Sequence, residues 1–117
     1  NPFLDSISVD TTSTPAIAES VHIHFQPVNT AVAYRIFFRE SAGTFGATWE
    51  QHSVTSAAAL SIINSNQYYA FVPGTTTQTP NGGFEKNTSY DFYIEANCDG
   101  CAAWSNPSTI ESYYFDF

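Results

Sequence analysis

The two cysteines of the chain, Cys98 and Cys101, are separated only by Asp99 and Gly100. A structural zinc site commonly needs two such pairs, or one pair with two nearby histidines, and no second pair is present. A thiol redox pair begins a helix, whereas this pair follows a strand-like segment and flanks a two-residue turn signal. The pattern favours a disulfide between Cys98 and Cys101, with free thiols, metal binding or intermolecular pairing as alternatives.

Two histidines, His22 and His24, alternate along an extended segment, which puts both imidazoles on the same face of a strand. Such a pair can bind a transition metal, but a third ligand must come from a neighbouring strand, and the sequence names no such residue. The alternative is a half-exposed sheet face that carries two histidines. We therefore predict no metal site.

The motifs of the common hydrolases and nucleotide-binding enzymes are missing from the sequence. Asp91 and Glu95 form a pair of carboxylates on one strand face, but the rise of a strand separates them by about 13 Å. That separation exceeds the usual spacing of the two carboxylates in a glycosidase. We predict that the chain is not an enzyme and that it holds no cofactor.

Aromatic side chains are abundant, with ten Phe, seven Tyr and two Trp, and they cannot all fit into one small core. Flat rings at a surface can stack on sugars or anchor a protein interface. Trp49, Tyr69 and Trp104 are the candidate binding residues. The alternative is that each tryptophan only covers an end of the fold.

The charge balance is strongly acidic, with three Lys and Arg against eleven Asp and Glu and a formal net charge of −8. Such a surface repels phosphate backbones, so nucleic acid is not an expected partner. The acidic residues are scattered singly and form no calcium-binding loop. Since no apolar run approaches membrane-spanning length, we expect no membrane insertion.

The dominant period along the chain is two, which is the period of a β-strand with one buried face. It is clearest in residues 21–26, 32–39 and 90–97. The second of these segments has aromatic side chains on both faces, which predicts a central strand. Weaker strands are predicted over residues 5–10, 48–55, 58–63, 67–72 and 111–117.

Little of the chain has helical spacing, and only residues 56–60 could form one or two turns. The Thr-rich segment 74–83 has nothing apolar to bury, which predicts an exposed, mobile insertion. Short strands separated by turn signals predict an all-β fold, a two-sheet antiparallel sandwich of seven or eight strands. Residues 1–117 are expected to form this single domain.

The sequence GFEKNTSYDFYIEA, residues 83–96, resembles the E–F corner and strand F of a fibronectin type III domain. Tyr90 matches the corner tyrosine of that family, and Phe84 stands where the family has leucine. Lys86 and Asn87 replace the family's Pro-Gly, and asparagine tolerates the left-handed turn conformation that the glycine would adopt.

Three further segments resemble the family in the right order, and the resemblance runs from Leu4 onward except over residues 42–83. VHIHFQPV resembles strand B, AVAYRIFFRE resembles strand C, and AAWSNPSTIES resembles the F–G turn with strand G. The cysteine after strand F and the following Trp-Ser are also similar to such modules in secreted multidomain proteins of the Bacteroidetes type.

The resemblance implies a fibronectin type III or immunoglobulin-like fold and an extracellular or cell-surface location. It implies a non-catalytic structural or adhesive module that contacts a protein partner or neighbouring domains. A carbohydrate-binding module is an alternative. A self-assembling subunit of a surface filament or virion, joined through the C-terminal strand at residues 113–117, is another.

Overall fold

The computed structural model describes residues 8–10, 17–18, 21–28, 30–98, 103–105 and 107–116. The elements in chain order are β1 (Ser8–Asp10), β2 (Ile17–Ala18), β3 (Val21–His24), β4 (Ala31–Glu40), β5 (Glu50–Val54), α1 (Ala57–Asn66), β6 (Tyr68–Phe71), β7 (Phe84–Glu85), β8 (Thr88–Cys98) and β9 (Glu111–Phe115).

Two antiparallel sheets form a β-sandwich, which confirms the predicted fold class. One sheet has the order β1-β3-β6 and the other β5-β4-β8-β9, so these sheets use seven strands of the described residues. The short strands β2 and β7 pair separately. As predicted from its two aromatic faces, β4 is central and has a neighbour on each side.

The core is formed mainly by the buried side chains that alternate with outward-facing ones in β4 and β8. Every second side chain of the two strands points between the sheets, and six of these are at most 1% exposed: Tyr34, Ile36, Phe38, Tyr90, Phe92 and Ile94. Burial of each such side chain contributes roughly 1.5 to 3 kcal/mol to the free energy of unfolding. The intervening side chains of both strands therefore share the outer face of the four-stranded sheet.

The turn from β7 to β8 is organised around Tyr90, which is fully buried. Its hydroxyl accepts a hydrogen bond from the backbone N–H of Glu85 at 3.1 Å, the kind of contact that defines a tyrosine corner. The Phe84 ring lies 5.0 Å from the Tyr90 ring. Asn87 has a φ of 58°, so it takes the left-handed conformation predicted for it.

The strand predicted over residues 58–63 was wrong, because α1 occupies this segment, and the helix is longer than the one or two turns expected for residues 56–60. Ser56 caps the helix, since its side chain accepts a hydrogen bond from the Ala59 N–H at 3.1 Å. Ile63 is the buried residue of the helix. The capping serine and the alanine-rich start favour a helix over the strand that was expected here.

The segment 74–83 is not the exposed insertion predicted from its composition, because Gln78 and Thr79 are both fully buried. The Gln78 side-chain oxygen accepts a hydrogen bond from the Glu40 N–H at 2.8 Å. Its amide nitrogen donates to the carbonyls of Phe45 at 3.1 Å and Gly46 at 3.2 Å. The segment buries polar atoms instead of apolar ones, and these bonds fasten it to the connection between β4 and β5.

Candidate binding surface

The outer face of the four-stranded sheet carries alternating charged and aromatic side chains. In the register of β4 with β8, Arg35 lies opposite Glu95, Phe37 opposite Tyr93 and Arg39 opposite Asp91. Trp49 and Trp104 pack on this layer from the adjoining connections. We call these eight residues the arginine–aromatic face.

Each arginine of this face lies between a carboxylate and a tryptophan. The Arg35 Nε is 2.6 Å from Glu95 Oε1, and its guanidinium carbon is 4.1 Å from the centre of the Trp104 ring. The Arg39 Nε is 3.7 Å from Asp91 Oδ2, and its guanidinium carbon is 4.2 Å from the Trp49 ring centre. A guanidinium over an indole ring is a favourable cation–π contact.

The centre of the face is aromatic. The rings of Phe37 and Tyr93 stack with centroids 4.5 Å apart and an angle of 10° between their planes. The Trp49 ring meets Tyr93 edge-on at 4.8 Å. Burial, and secondly the carboxylate of Glu95, raise the pKa of the Tyr93 hydroxyl. Tyr93 therefore stays neutral at physiological pH.

The arginine–aromatic face is neutral on a strongly acidic molecule. The chain has three Lys and Arg against eleven Asp and Glu, and removing the two of each on this face leaves one against nine. Asp91 is held further by the Ser41 hydroxyl at 2.6 Å and the Ser112 hydroxyl at 2.7 Å. A partner that docks here would meet aromatic rings and compensated charges instead of the general negative field.

The position of Trp104 depends on the segment that follows it. The Ser105 N–H donates to the Ala96 carbonyl at 2.8 Å, and the Ser105 hydroxyl accepts from the Ala96 N–H at 2.9 Å. The Ser108 N–H donates to the Ile94 carbonyl at 3.0 Å, and the Ser108 hydroxyl accepts from the Ile94 N–H at 3.0 Å. These bonds fasten Ser105 and Ser108 to β8 and bring Trp104 over Arg35.

The three predicted binding residues do not come together. Trp49 and Trp104 both belong to the arginine–aromatic face, but Tyr69 lies on β6 of the other sheet. There its ring is 5.9 Å from His52 and packs against the core. The sequence reasoning missed the two arginines, although Arg35 and Arg39 have the same spacing as their partners on β8.

The structure also places the predicted histidine and cysteine sites, the latter only in part. His22 and His24 lie half-buried on one side of β3, with the Tyr68 ring 5.3 Å and 5.4 Å from theirs. Within the described parts of the chain, no three potential metal ligands cluster together.

Cys98 ends β8, but Cys101 lies outside the described residues, so their disulfide stays a prediction. No helix in the described ranges is both long enough and apolar enough to cross a membrane.

Comparisons with known proteins identify the fold but no close relative. No model of a known protein family matches the sequence, and no curated protein matches it. The chicken CNTN1 FN1–FN3 structure matches 97% of this chain at a TM-score of 0.62 and 14% identity, and this chain spans 30% of it.

Two further structures match over almost their whole length. One is described as a myokine structure, with a TM-score of 0.62, 9% identity and coverage of 97% of this chain and 96% of the other. The second is the FN5 domain of Drosophila Lar, with a TM-score of 0.59, 11% identity and coverage of 97% and 95%. The chain therefore has a fibronectin type III-like fold.

Proposed function

We propose that the chain is a non-catalytic interaction module of an extracellular or cell-surface protein, formed by residues 1–117 as one domain. We further propose that it binds a protein partner through the arginine–aromatic face. The observation that carries the proposal is the concentration of four aromatic rings and two ordered arginines on one neutral face. The three structures described above do not support the Bacteroidetes-type context, so we leave it out of the proposal.

The chemistry of the face suits a protein contact. Tryptophan, tyrosine and arginine are the residues that most often dominate the binding energy of protein interfaces. The Arg35 and Arg39 side chains are already ordered by carboxylates and rings, so less conformational entropy is lost on binding. The face is therefore preorganised for binding.

A site-specific photocrosslinker tests this proposal. Benzoylphenylalanine at Gln51, which is exposed and opposite Phe37 in the register, should capture a discrete partner from native cell surfaces. The same crosslinker at Ala70, exposed on β6 of the other sheet, is the matched control and should capture none. Trp49→Ala in the Gln51 protein should abolish the capture while thermal unfolding shows a folded chain. Equal capture from both positions would refute the proposed face.

Glycan binding is less well supported by the geometry. Each tryptophan already has an arginine about 4 Å over one side of its ring, and Tyr69 lies on the other sheet. We therefore expect a glycan array to show no saturable binding that is lost in the Trp49→Ala and Trp104→Ala variants. Such binding would favour the carbohydrate-binding alternative.

Self-association through the C-terminal strand is a second candidate, because β9 is at the edge of its sheet and exposes Tyr114. Deletion of residues 113–117 would not test it cleanly, since Phe115 is fully buried in the core. Tyr114→Lys keeps the core and places a charge on the edge. If β9 mediates assembly, light scattering should show concentration-dependent oligomers that this variant loses.

A further inference from the structure

A groove of about 570 Å³ opens at one end of the four-stranded sheet. This volume is within the range of small-ligand sites. It is formed where β4 ends and β8 begins, and its lining includes Glu40, Phe45, Asn87, Ser89 and Tyr114. The groove also contains Ser41, whose hydroxyl donates to Asp91 of the arginine–aromatic face. The groove and that face are therefore adjacent parts of one surface.

The lining of the groove includes a buried carboxylate. Glu40 is only 4% exposed, and its oxygens accept backbone hydrogen bonds from Ala42 at 2.9 Å and Thr44 at 2.6 Å. These bonds fix the carboxylate in one orientation. Since each carboxylate oxygen can accept more than one hydrogen bond, capacity for a further donor remains.

Glu40 has no cationic partner among the described residues. The ion pairs found there join Arg35 to Glu95 and Arg39 to Asp91, and Lys86 is exposed. Taking a carboxylate out of water is costly unless a cation or donors compensate it, and here the compensation comes from neutral backbone N–H groups. Hydrogen bonds therefore hold the carboxylate without an ion pair, which leaves room for a cationic donor.

The walls of the groove fit the same kind of ligand. Tyr114 is 51% exposed, and Phe45 is half-buried beside the loop that holds Glu40. Aromatic rings attract cations and pack against alkyl chains, and the net charge of −8 favours a positive ligand over a negative one.

We propose that this groove binds the side chain of a lysine or arginine presented by a protein partner. The ammonium or guanidinium group donates to the Glu40 carboxylate, and the alkyl stem lies against Tyr114 and Phe45. This inference rests on the proposed function, because a partner on the arginine–aromatic face would bring the basic side chain to the adjoining groove. It adds the partner's chemistry: a basic residue beside its apolar contact surface.

A titration of the ¹⁵N-labelled protein followed by NMR tests the groove without the partner. The probes are N-acetyl-lysine methylamide and N-acetyl-arginine methylamide, with N-acetyl-norleucine methylamide as the uncharged control. The charged probes should shift the amide signals of Ala42, Thr44 and Ser89 in a saturable way. The norleucine probe should shift them at least about threefold less at equal concentration, because it lacks the cation.

Two matched variants locate the binding. Tyr114→Ala should weaken the affinity for the lysine probe about threefold through loss of the ring contact. Ile110→Ala, at a residue that is 57% exposed and just before the same strand, should leave the affinity unchanged. Glu40→Gln should remove the preference for the charged probes over norleucine, provided that the amide spectrum shows a folded protein.

Three results would overturn this inference: no saturable shift with either charged probe, equal shifts with the norleucine probe, or equally strong shifts of these amides with calcium chloride alone. The calcium result would make the groove a metal site. Titrations of the parent and Trp49→Ala proteins, compared with the crosslinking result, separate the two proposals. Binding of the lysine probe by both proteins, with equal capture from Gln51 and Ala70, would support the groove and refute the face. No binding of the probe, with capture confined to Gln51, would support the face and refute the groove.

Discussion

His52 is an inward-facing residue at an open edge of the sandwich. Its ring stacks on Phe71 of the other sheet with centroids 4.6 Å apart, which closes the gap between β5 and β6. Its Nε2 is buried and has no hydrogen-bond partner among the described residues. Burial lowers the pKa of His52. The folded protein therefore keeps this imidazole neutral where an unfolded chain would protonate it.

This makes stability depend on pH in a definite direction. Below the unfolded histidine pKa of about 6.5, the unfolded state binds a proton that the folded state resists, so the free energy of unfolding falls as pH falls. His52→Phe removes the titrating group and keeps the ring contact. We expect urea denaturation to show that the free energy of unfolding of the variant, relative to that of the parent, is higher at pH 5.0 than at pH 7.5. The same difference at both pH values would contradict the assignment.

Gln78 shows how one polar side chain can fix a segment. Replacement by leucine leaves the Glu40 N–H and the Phe45 and Gly46 carbonyls without their partner. We expect Gln78→Leu to lower the free energy of unfolding by about 2 to 4 kcal/mol, measured by urea denaturation. Thr77→Leu, at the exposed neighbouring position, should change it by less than about 0.5 kcal/mol. Similar values for both would mean that the buried amide is not what holds the segment.

The predicted disulfide can be tested directly by mass. Protein purified without reductant should be lighter than the reduced protein by the mass of two hydrogen atoms, and iodoacetamide should not label Cys98 or Cys101. Because the loop is so short, the bond should stabilise the fold by only about 2 kcal/mol before strain. Two labelled thiols in the non-reduced sample would show that the prediction is wrong.

At the scale of elements, the end of α1 has an unusual residue. Gln67 follows the helix with a φ of 60°, and its N–H donates to the Ile63 carbonyl at 2.8 Å. This left-handed position normally favours glycine, and a side chain there costs about 1 kcal/mol. We expect Gln67→Gly to raise the thermal midpoint of unfolding by a few degrees. Asn66→Gly, one residue earlier and within the helix, should lower it.

The strands could be predicted from sequence where both faces have a clear pattern. In β4 and β8, buried side chains alternate with half-buried ones almost without a break, so period and burial agree. The helix was predicted only as one or two turns over residues 56–60, because Ile63 is its buried residue and the helical pattern is therefore weak. The Gln78 segment could not be predicted, since its burial depends on carbonyls more than thirty residues away in the chain.

The sequence predicted only part of the candidate surface. Trp49 and Trp104 were identified as exposed aromatic residues, but both lie outside the strands, so the strand pattern could not place them on one face. The serines at 105 and 108 that place Trp104 carry no recognisable spacing of their own. In contrast, the spacing between Arg35 and Arg39 equals the spacing between Asp91 and Glu95. This match would have predicted the two ion pairs once an antiparallel register was assumed.

At the scale of the molecule, the prediction of a single domain remains to be tested. The two sheets share one hydrophobic cluster, so residues 1–117 should unfold in one cooperative transition. Tryptophan fluorescence reports on the outer face of one sheet, whereas far-ultraviolet circular dichroism reports on all strands. We expect the two denaturation curves to coincide in midpoint and slope. Separate midpoints would indicate a subdomain or an independently folding segment.

The paired charges of the arginine–aromatic face also bear on how the chain finds its fold. A slip of one residue between β4 and β8 would turn the core side chains outward, and a slip of two would keep them inward. Only the observed alignment gives both Arg35 and Arg39 an opposite carboxylate, because a two-residue shift places Arg35 opposite Tyr93 or Asn97. The charges of this face therefore disfavour the two-residue slip, which the hydrophobic pattern alone would allow. They can select the correct pairing of β4 with β8 during folding, whether or not a partner binds.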